Sequence, residues 1–461
     1  MLSRAGEQFL TEPPGNGETM HNTLKLTLMV CACTLLLAQQ NQRPAGSVDT
    51  DKFRTVYIRL GPSDEALLYE PVGSGAKSRV ALIHIHPDGS TFNMLTPPEM
   101  AKRGYRVLTV NHHGAADLEL FAQPLSRGIA YLRSLPDVQR VVIAGHSGGG
   151  HLVAWYQNVA EHGAAACQGP EKLYPCEGER LNGLQKPDGI IMLDSTLGAF
   201  HQMSSIDPAA DGDKRNAAVD MFSPANGYDM AAKRAKYSDD FAKRFYAAQA
   251  ARNTAFVDNA LARLNALKQG KGQFTDDEPL VLRGMGMNAA GARLYQSDPS
   301  FAAHTKKPHT LLKADGTQPE TIVSSVRPPT GQQVLGSLNT LHVMSQNLTV
   351  REFLAHSAVR TRPDYAITAD DITGVDWASA TTSTPANAEG ITVPALVQAN
   401  SCHYLIVPDE IIFDHLASKD KTLAFVEGAV HGFTPCKPEY GDTVKRAFDN
   451  VDNWLSKPGR F

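Results

Sequence analysis

"VVIAGHSGGGHLVAW", Val141–Trp155, runs from an apolar strand-like segment into a helical pattern through a stretch where only His146 and Ser147 carry side-chain chemistry. Val141–Ala144 reads as a short buried strand. Leu152, Trp155, Tyr156 and Val159 then recur at spacings of three and four, which reads as one face of a helix. Gly145, Gly148, Gly149 and Gly150 surround a single hydroxyl. A serine at so sharp a strand-to-helix junction sits in strained backbone, and its neighbours must lack bulk for the turn to close. The five residues Gly145–Gly149 satisfy G-x-S-x-G, and they stand between a strand and an amphipathic helix, the context that pattern requires. The alternative is a glycine-rich turn with no chemistry.

Strand-like and helix-like segments alternate around this junction. "FRTVYIRLG" (53–61), "EALLYEPVG" (65–73), "RVALIHIH" (79–86), "YRVLTVNHHG" (105–114) and "GIIMLDS" (189–195) read as strands, with helical stretches between the later ones. That alternation predicts an α/β fold with a mostly parallel, doubly wound sheet. After about residue 200 it stops for roughly 190 residues. It resumes with "ITVPALVQA" (391–399), "DEIIFDHLASKD" (409–420) and "KTLAFVEGAVHGF" (421–433). The expected organisation is a leader over 1–38, a core in two parts over 39–200 and 386–461, and a large, mainly helical cap insertion over 201–385. "DMAAKRAKYSDDFAKRFYAAQAARNTAFVDNALARLNALKQG" (229–270) would be the cap's principal helix.

With the elbow and the alternation in hand, the chain resembles the α/β-hydrolase superfamily of serine esterases and lipases over most of 53–200 and 385–455. The resemblance implies a Ser-His-acid triad with Ser147 as nucleophile. His431, in "FVEGAVHGF", would be the base, because it follows the last strand-like run. The oxyanion donors would be the Gly148 N–H and, from "HIHPDGST" (84–91), the Asp88 N–H, since Pro87 has none. The acid departs from the family pattern. It is usually an Asp after the seventh strand, where this chain has "QANSCHYLIVPDE", with Cys402, His403 and Tyr404 in its place. Asp194, ending "IIMLDST", and Glu410, after Val407-Pro408, are the candidates, and strand-end placement favours Asp194. His84, His86, His112 and His113 could alternatively be read as metal ligands, but no supporting cluster accompanies them.

The implied activity is hydrolysis of a carboxylic ester through an acyl-enzyme, on a small-molecule substrate and without a cofactor. Amide or C–C bond hydrolysis by the same triad is one alternative; a catalytically inactive binding protein of this fold is another. The composition gives no electrostatic reason for a nucleic-acid partner: 42% of the 461 residues are hydrophobic, 20% are charged and the net charge is −4. No apolar run reaches the ~18–20 residues of a spanning helix. "MHNTLKLTLMVCACTLLLAQQ" from Met20 has Lys25 ahead of an apolar stretch, Leu26–Ala38, of signal-peptide length. It predicts export, with Met20 as the working start and cleavage after Ala38; a buried core helix is the alternative. Cys31 and Cys33 do not make a lipid-anchor motif, because the apolar run continues past them. The remaining Cys167, Cys176, Cys402 and Cys436 predict disulfides with three possible connectivities, of which the local pairs Cys167–Cys176 and Cys402–Cys436 are expected. Zinc is the alternative, but no C-x-x-C spacing occurs.

Overall fold

Alternating burial on two faces is what the strand sequences demand, and it organises the whole core. The computed structural model describes residues 50–461, except 74, 88–89, 113–116, 212–213, 286–290 and 330–344. The expected leader, with Cys31 and Cys33, lies outside the described residues, as do Asp88 and His113. One sheet of ten strands contains β1 (Phe53–Arg59), β2 (Glu65–Pro71), β3 (Val80–Ile85), β4 (Arg106–Val110) and β5 (Arg140–His146). It continues with β6 (Gly189–Leu193), β7 (His304–Leu312), β8 (Glu320–Ser324), β9 (Ala395–Asn400) and β10 (Lys421–Val426). Their spatial order is β1-β2-β4-β3-β5-β6-β9-β10-β7-β8. The central pairings from β4 to β7 are parallel, and the antiparallel pairings lie at the two edges.

In β3 every residue is buried, because helices cover both faces. Ala81, Ile83 and Ile85 face one core, together with α2 (Leu118–Ser134) and α3 (Gly148–His162). Val80 and Leu82 face the other, with α1 (Thr96–Lys102) and the C-terminal helix Thr443–Leu455. In α3 the apolar spacing read from the sequence buries Leu152, Trp155, Tyr156 and Val159 completely or nearly so. No helix among the described residues is long and apolar enough to cross a membrane.

The segment 201–385 departs from the expected cap in two respects. β7 and β8 lie inside it and extend the central sheet, with Thr310–Leu312 pairing parallel to Ala424–Val426. The sequence hid β7 because "HTKKPHTLL" carries two lysines and a proline in the half of the strand that does not pair with β10, where the lysine side chains stay hydrated. The segment is also less helical than expected. Besides the 30-residue helix α4 (Asp239–Lys268) it contains antiparallel ribbons, Pro279–Arg283 with Ser345–Thr349 and Arg360–Ile367 with Ile372–Asp376.

His84 belongs to the core rather than to any open ligand set. It sits in β3 beside Thr109 and Ala144, fully buried, with neither ring nitrogen hydrogen-bonded. Burial, and then the nearby His86, pushes its pKa down from 6.5 to about 3. Between those values the unfolded chain takes up a proton that the folded chain refuses, so stability falls as pH drops. The slope from this group is about 1.4 kcal/mol per pH unit. His84→Leu should therefore flatten the decline of the urea midpoint between about pH 6 and pH 4. An unchanged slope would remove His84 from the acid sensitivity of the fold.

Candidate active site

The end of β5 carries Ser147 in a backbone conformation that few non-glycine residues adopt, φ 57° and ψ −124°. Such a conformation costs about 1–3 kcal/mol and persists only where its surroundings impose it. Here the Ser147 N–H donates to the Leu193 carbonyl at 2.9 Å, and its own carbonyl accepts from Gly150 N at 3.1 Å and Thr196 N at 3.2 Å. The glycines permit this close approach. A Cβ on Gly145 would run into the Gly149 carbonyl, and one on Gly149 into the Ile85 carbonyl. Gly148 opens the 15-residue helix α3, where amides are free of intrahelical partners and the helix dipole favours negative charge. Pro87 lies directly over it, 2.6 Å from where a Cβ would stand. Asp88, the other expected donor, is outside the described residues.

Asp194 follows β6 with a φ of 46° and is completely buried. Its Oδ1 accepts the Asn400 N–H at 3.1 Å, and its Oδ2 lies 2.6 Å from His431 Nδ1. His403 Nδ1 stands 2.8 Å from the same Oδ2, less well aligned for a hydrogen bond. Burial alone would push the Asp194 carboxyl up, but His403 and then His431 outweigh it and hold the group well below the usual carboxylate range. His431 is sandwiched between two other imidazoles, its ring centre 4.5 Å from that of His146 and 4.5 Å from that of His403. His146, next to Ser147, donates from Nε2 to the His431 carbonyl at 2.8 Å. Burial, and then His431, holds His146 well below the ordinary histidine range, so it stays neutral. Burial likewise lowers His403. Asp194 is thus charged beside the neutral rings of His146 and His403.

The structure therefore brings Asp194 and His431 into contact, with Ser147 at the end of the strand beside β6, and leaves Glu410 out. Glu410, in α5 (Ile406–His415), instead accepts the amides of Lys306 and Lys307 at 2.7 and 2.9 Å, and its Oε1 lies 2.8 Å from His309 Nε2. Its neighbour Asp409 accepts the Ser195 N–H at 3.1 Å and is raised well above a normal carboxyl by burial and then by Asp194. His146, Asp194 and His431 also bring three potential metal-ligand atoms within 4.8 Å, but these are engaged in the hydrogen bonds just described. Sequence reading assigned no role to His403. Its only signal was its place where an acid was expected.

The architecture is a ten-stranded, mostly parallel sheet with a strained serine elbow at the end of β5. The fold is α/β-hydrolase-like. No family model matches the chain, and no curated protein does. Among solved structures, a hypothetical protein from Pseudomonas aeruginosa aligns at 13% identity and TM-score 0.41, covering 90% of this chain and 97% of that one. Brefeldin A esterase, described as a bacterial homologue of human hormone sensitive lipase, aligns at 12% and 0.39, covering 96% and 88%. Esterase B from Lactobacillus rhamnosis aligns at 12% and 0.38, covering 94% and 96%.

Both expected disulfides are present: Cys167–Cys176, with Cα atoms 5.5 Å apart, and Cys402–Cys436, at 6.4 Å. The second ties the loop carrying His403 to the loop carrying His431. A pocket adjoins these residues, lined by Leu197, Phe200, Tyr295, Ile367, Ile372 and Tyr404 among others. Tyr404 links it to the site, with its ring 4.1 Å from that of His403.

The elbow makes a direct prediction about glycine. Gly145→Ala should destabilise the chain by about 1–3 kcal/mol, as overpacking against backbone does. Gly432→Ala, beside His431, has nothing within 4 Å of the new Cβ and should change stability by less than about 0.5 kcal/mol. Equal urea midpoints for the two variants would contradict the close approach at the elbow.

Proposed function

We propose that the chain is an exported serine hydrolase that cleaves a carboxylic ester through an acyl-enzyme. The observation that carries the reading is the Asp194 Oδ2–His431 Nδ1 contact of 2.6 Å beside the strained Ser147 elbow. Asp194 holds the Nδ1–H tautomer of His431, which leaves Nε2 free to accept the Ser147 Oγ proton. The oxygen attacks the substrate carbonyl, and the Gly148 N–H, with Asp88 as the second donor, stabilises the oxyanion. His431 returns the proton to the departing alcohol. Water then repeats the sequence on the acyl-enzyme and frees the acid and Ser147. An ester suits this machinery because an alkoxide leaves more readily than an amide nitrogen.

In this reading 39–200 and 386–461 supply the catalytic core and 201–385 supplies part of the substrate wall. Tyr295, Ile367 and Ile372 come from that middle segment and line the pocket with Leu197 and Phe200. The apolar leader segment and the two disulfides fit an oxidising, extracytoplasmic destination.

A fluorophosphonate probe should label the protein at Ser147, and Ser147→Ala should lower ester turnover on the order of 10⁶-fold with the fold intact. Retention of more than a few per cent of activity by the purified variant would remove Ser147 as nucleophile.

The two acid candidates separate by readout. Asp194→Asn should lower kcat by about 10³–10⁴-fold. Glu410→Gln should instead cost about 1–3 kcal/mol of stability by weakening three buried hydrogen bonds, with kcat near that of the parent. The opposite ranking in kcat would move the acid to Glu410.

A further inference from the structure

We propose that His403 is a positioning residue, which shares the Asp194 carboxylate with His431 and so sets how strongly that carboxylate holds the His431 ring. The proposal rests on the hydrolase reading for its kinetic consequence but not for its geometry. One oxygen, Asp194 Oδ2, faces both Nδ1 atoms, at 2.6 Å for His431 and 2.8 Å for His403. The two rings stack with centres 4.5 Å apart and planes 26° apart.

His403 is held there on every side. Its carbonyl accepts from Ser325 Oγ at 3.0 Å, the preceding residue forms the disulfide to Cys436, and Tyr404 packs against its ring. The titratable groups around it come from separate segments: Asp194 after β6, His431 after β10, Arg327 after β8 and His201 in the short helix Ala199–Met203. Asp409, behind Asp194, is kept protonated by burial and by Asp194 itself, so it adds no charge.

A carboxylate oxygen that serves two donors holds each less strongly than it would hold one. With His403 present, Asp194 is fixed in orientation and its attraction for a protonated His431 is moderated. Removing the second donor concentrates that attraction on His431, which favours imidazolium, and leaves the carboxylate freer to turn. The general base is then lost to protonation at a higher pH, and the fraction of well-oriented encounters falls. KM is unaffected, because His403 acts through Asp194 and not through the substrate.

The test compares His403→Ala, which removes the donor, with His403→Asn, whose amide nitrogen replaces Nδ1. In the full-length protein, the acid limb of kcat/KM for a p-nitrophenyl ester should move up by about one pH unit in the alanine variant. Its kcat should fall and its KM stay constant, and the asparagine variant should keep the parental limb. Coincident limbs for alanine and parent would overturn the proposal, as would equal displacement in both variants, which would indicate packing alone. Nitrogen-15 histidine spectra provide an arm independent of turnover. The parent should show two low-field ring N–H signals attributable to Asp194 and the alanine variant one; a single signal in the parent overturns the shared carboxylate. A parent that neither hydrolyses esters nor reacts with the fluorophosphonate would sink the hydrolase reading, while the spectra still decide this one.

Discussion

A fully buried, ionised carboxylate is the constraint on which the site depends. Asp194 has no exposed surface, and a charge so placed is tolerated only when its oxygens are supplied with donors. The groups that meet it come from two parts of the chain: the Asn400 amide at the end of β9 with the His403 ring just beyond it, and His431 in the loop after β10. Satisfying one carboxylate therefore fixes two segments relative to the end of β6. Asp409 shows the other side of the same rule. A second buried carboxyl beside an ionised one stays protonated, because the two cannot both hold charge cheaply.

The serine elbow joins this arrangement through the backbone. Ser147 donates to the Leu193 carbonyl, and Thr196 donates back to the Ser147 carbonyl, so the elbow and the Asp194 turn are stitched on both sides of the acid. Neither could shift without the other. The Cys402–Cys436 bridge adds covalent restraint where hydrogen bonding alone would leave two loops to move separately. Cys402 N–H also donates to the Ala429 carbonyl, and Gly428 N–H to Ser401 Oγ, so the loops meet at several points.

Glu410 does for the sheet edge what Asp194 does for the site. It is buried in α5, and its acceptor capacity is spent on two amides of β7 and on His309. That clamp draws a polar strand onto the sheet beside β10, although only three of its residues pair there. The middle segment is therefore not a detached cap. Part of it completes the sheet, and part of it supplies the pocket wall near Tyr404.

The sequence by itself determined the elbow and the alternation of strands and helices on either side of it, and it suggested the local cysteine pairs among three possible connectivities. Each of these is written in near neighbours: the glycines around Ser147, the apolar spacing of α3, the nine-residue separation of Cys167 and Cys176. It offered Asp194 and Glu410 as acids and favoured Asp194 by its strand-end place, but it could not record the partner of either, since a carboxylate's partner is a matter of direction in space. His403 was visible only as an oddity, and β7 was hidden by lysines that lie in water in the half of the strand not paired with β10. Only the tertiary structure set two histidines against one carboxylate oxygen and turned Glu410 away from them. The physical reason is that buried charges are satisfied by groups distant along the chain, here 209 and 237 positions away for Asp194, and no local pattern records where those groups converge.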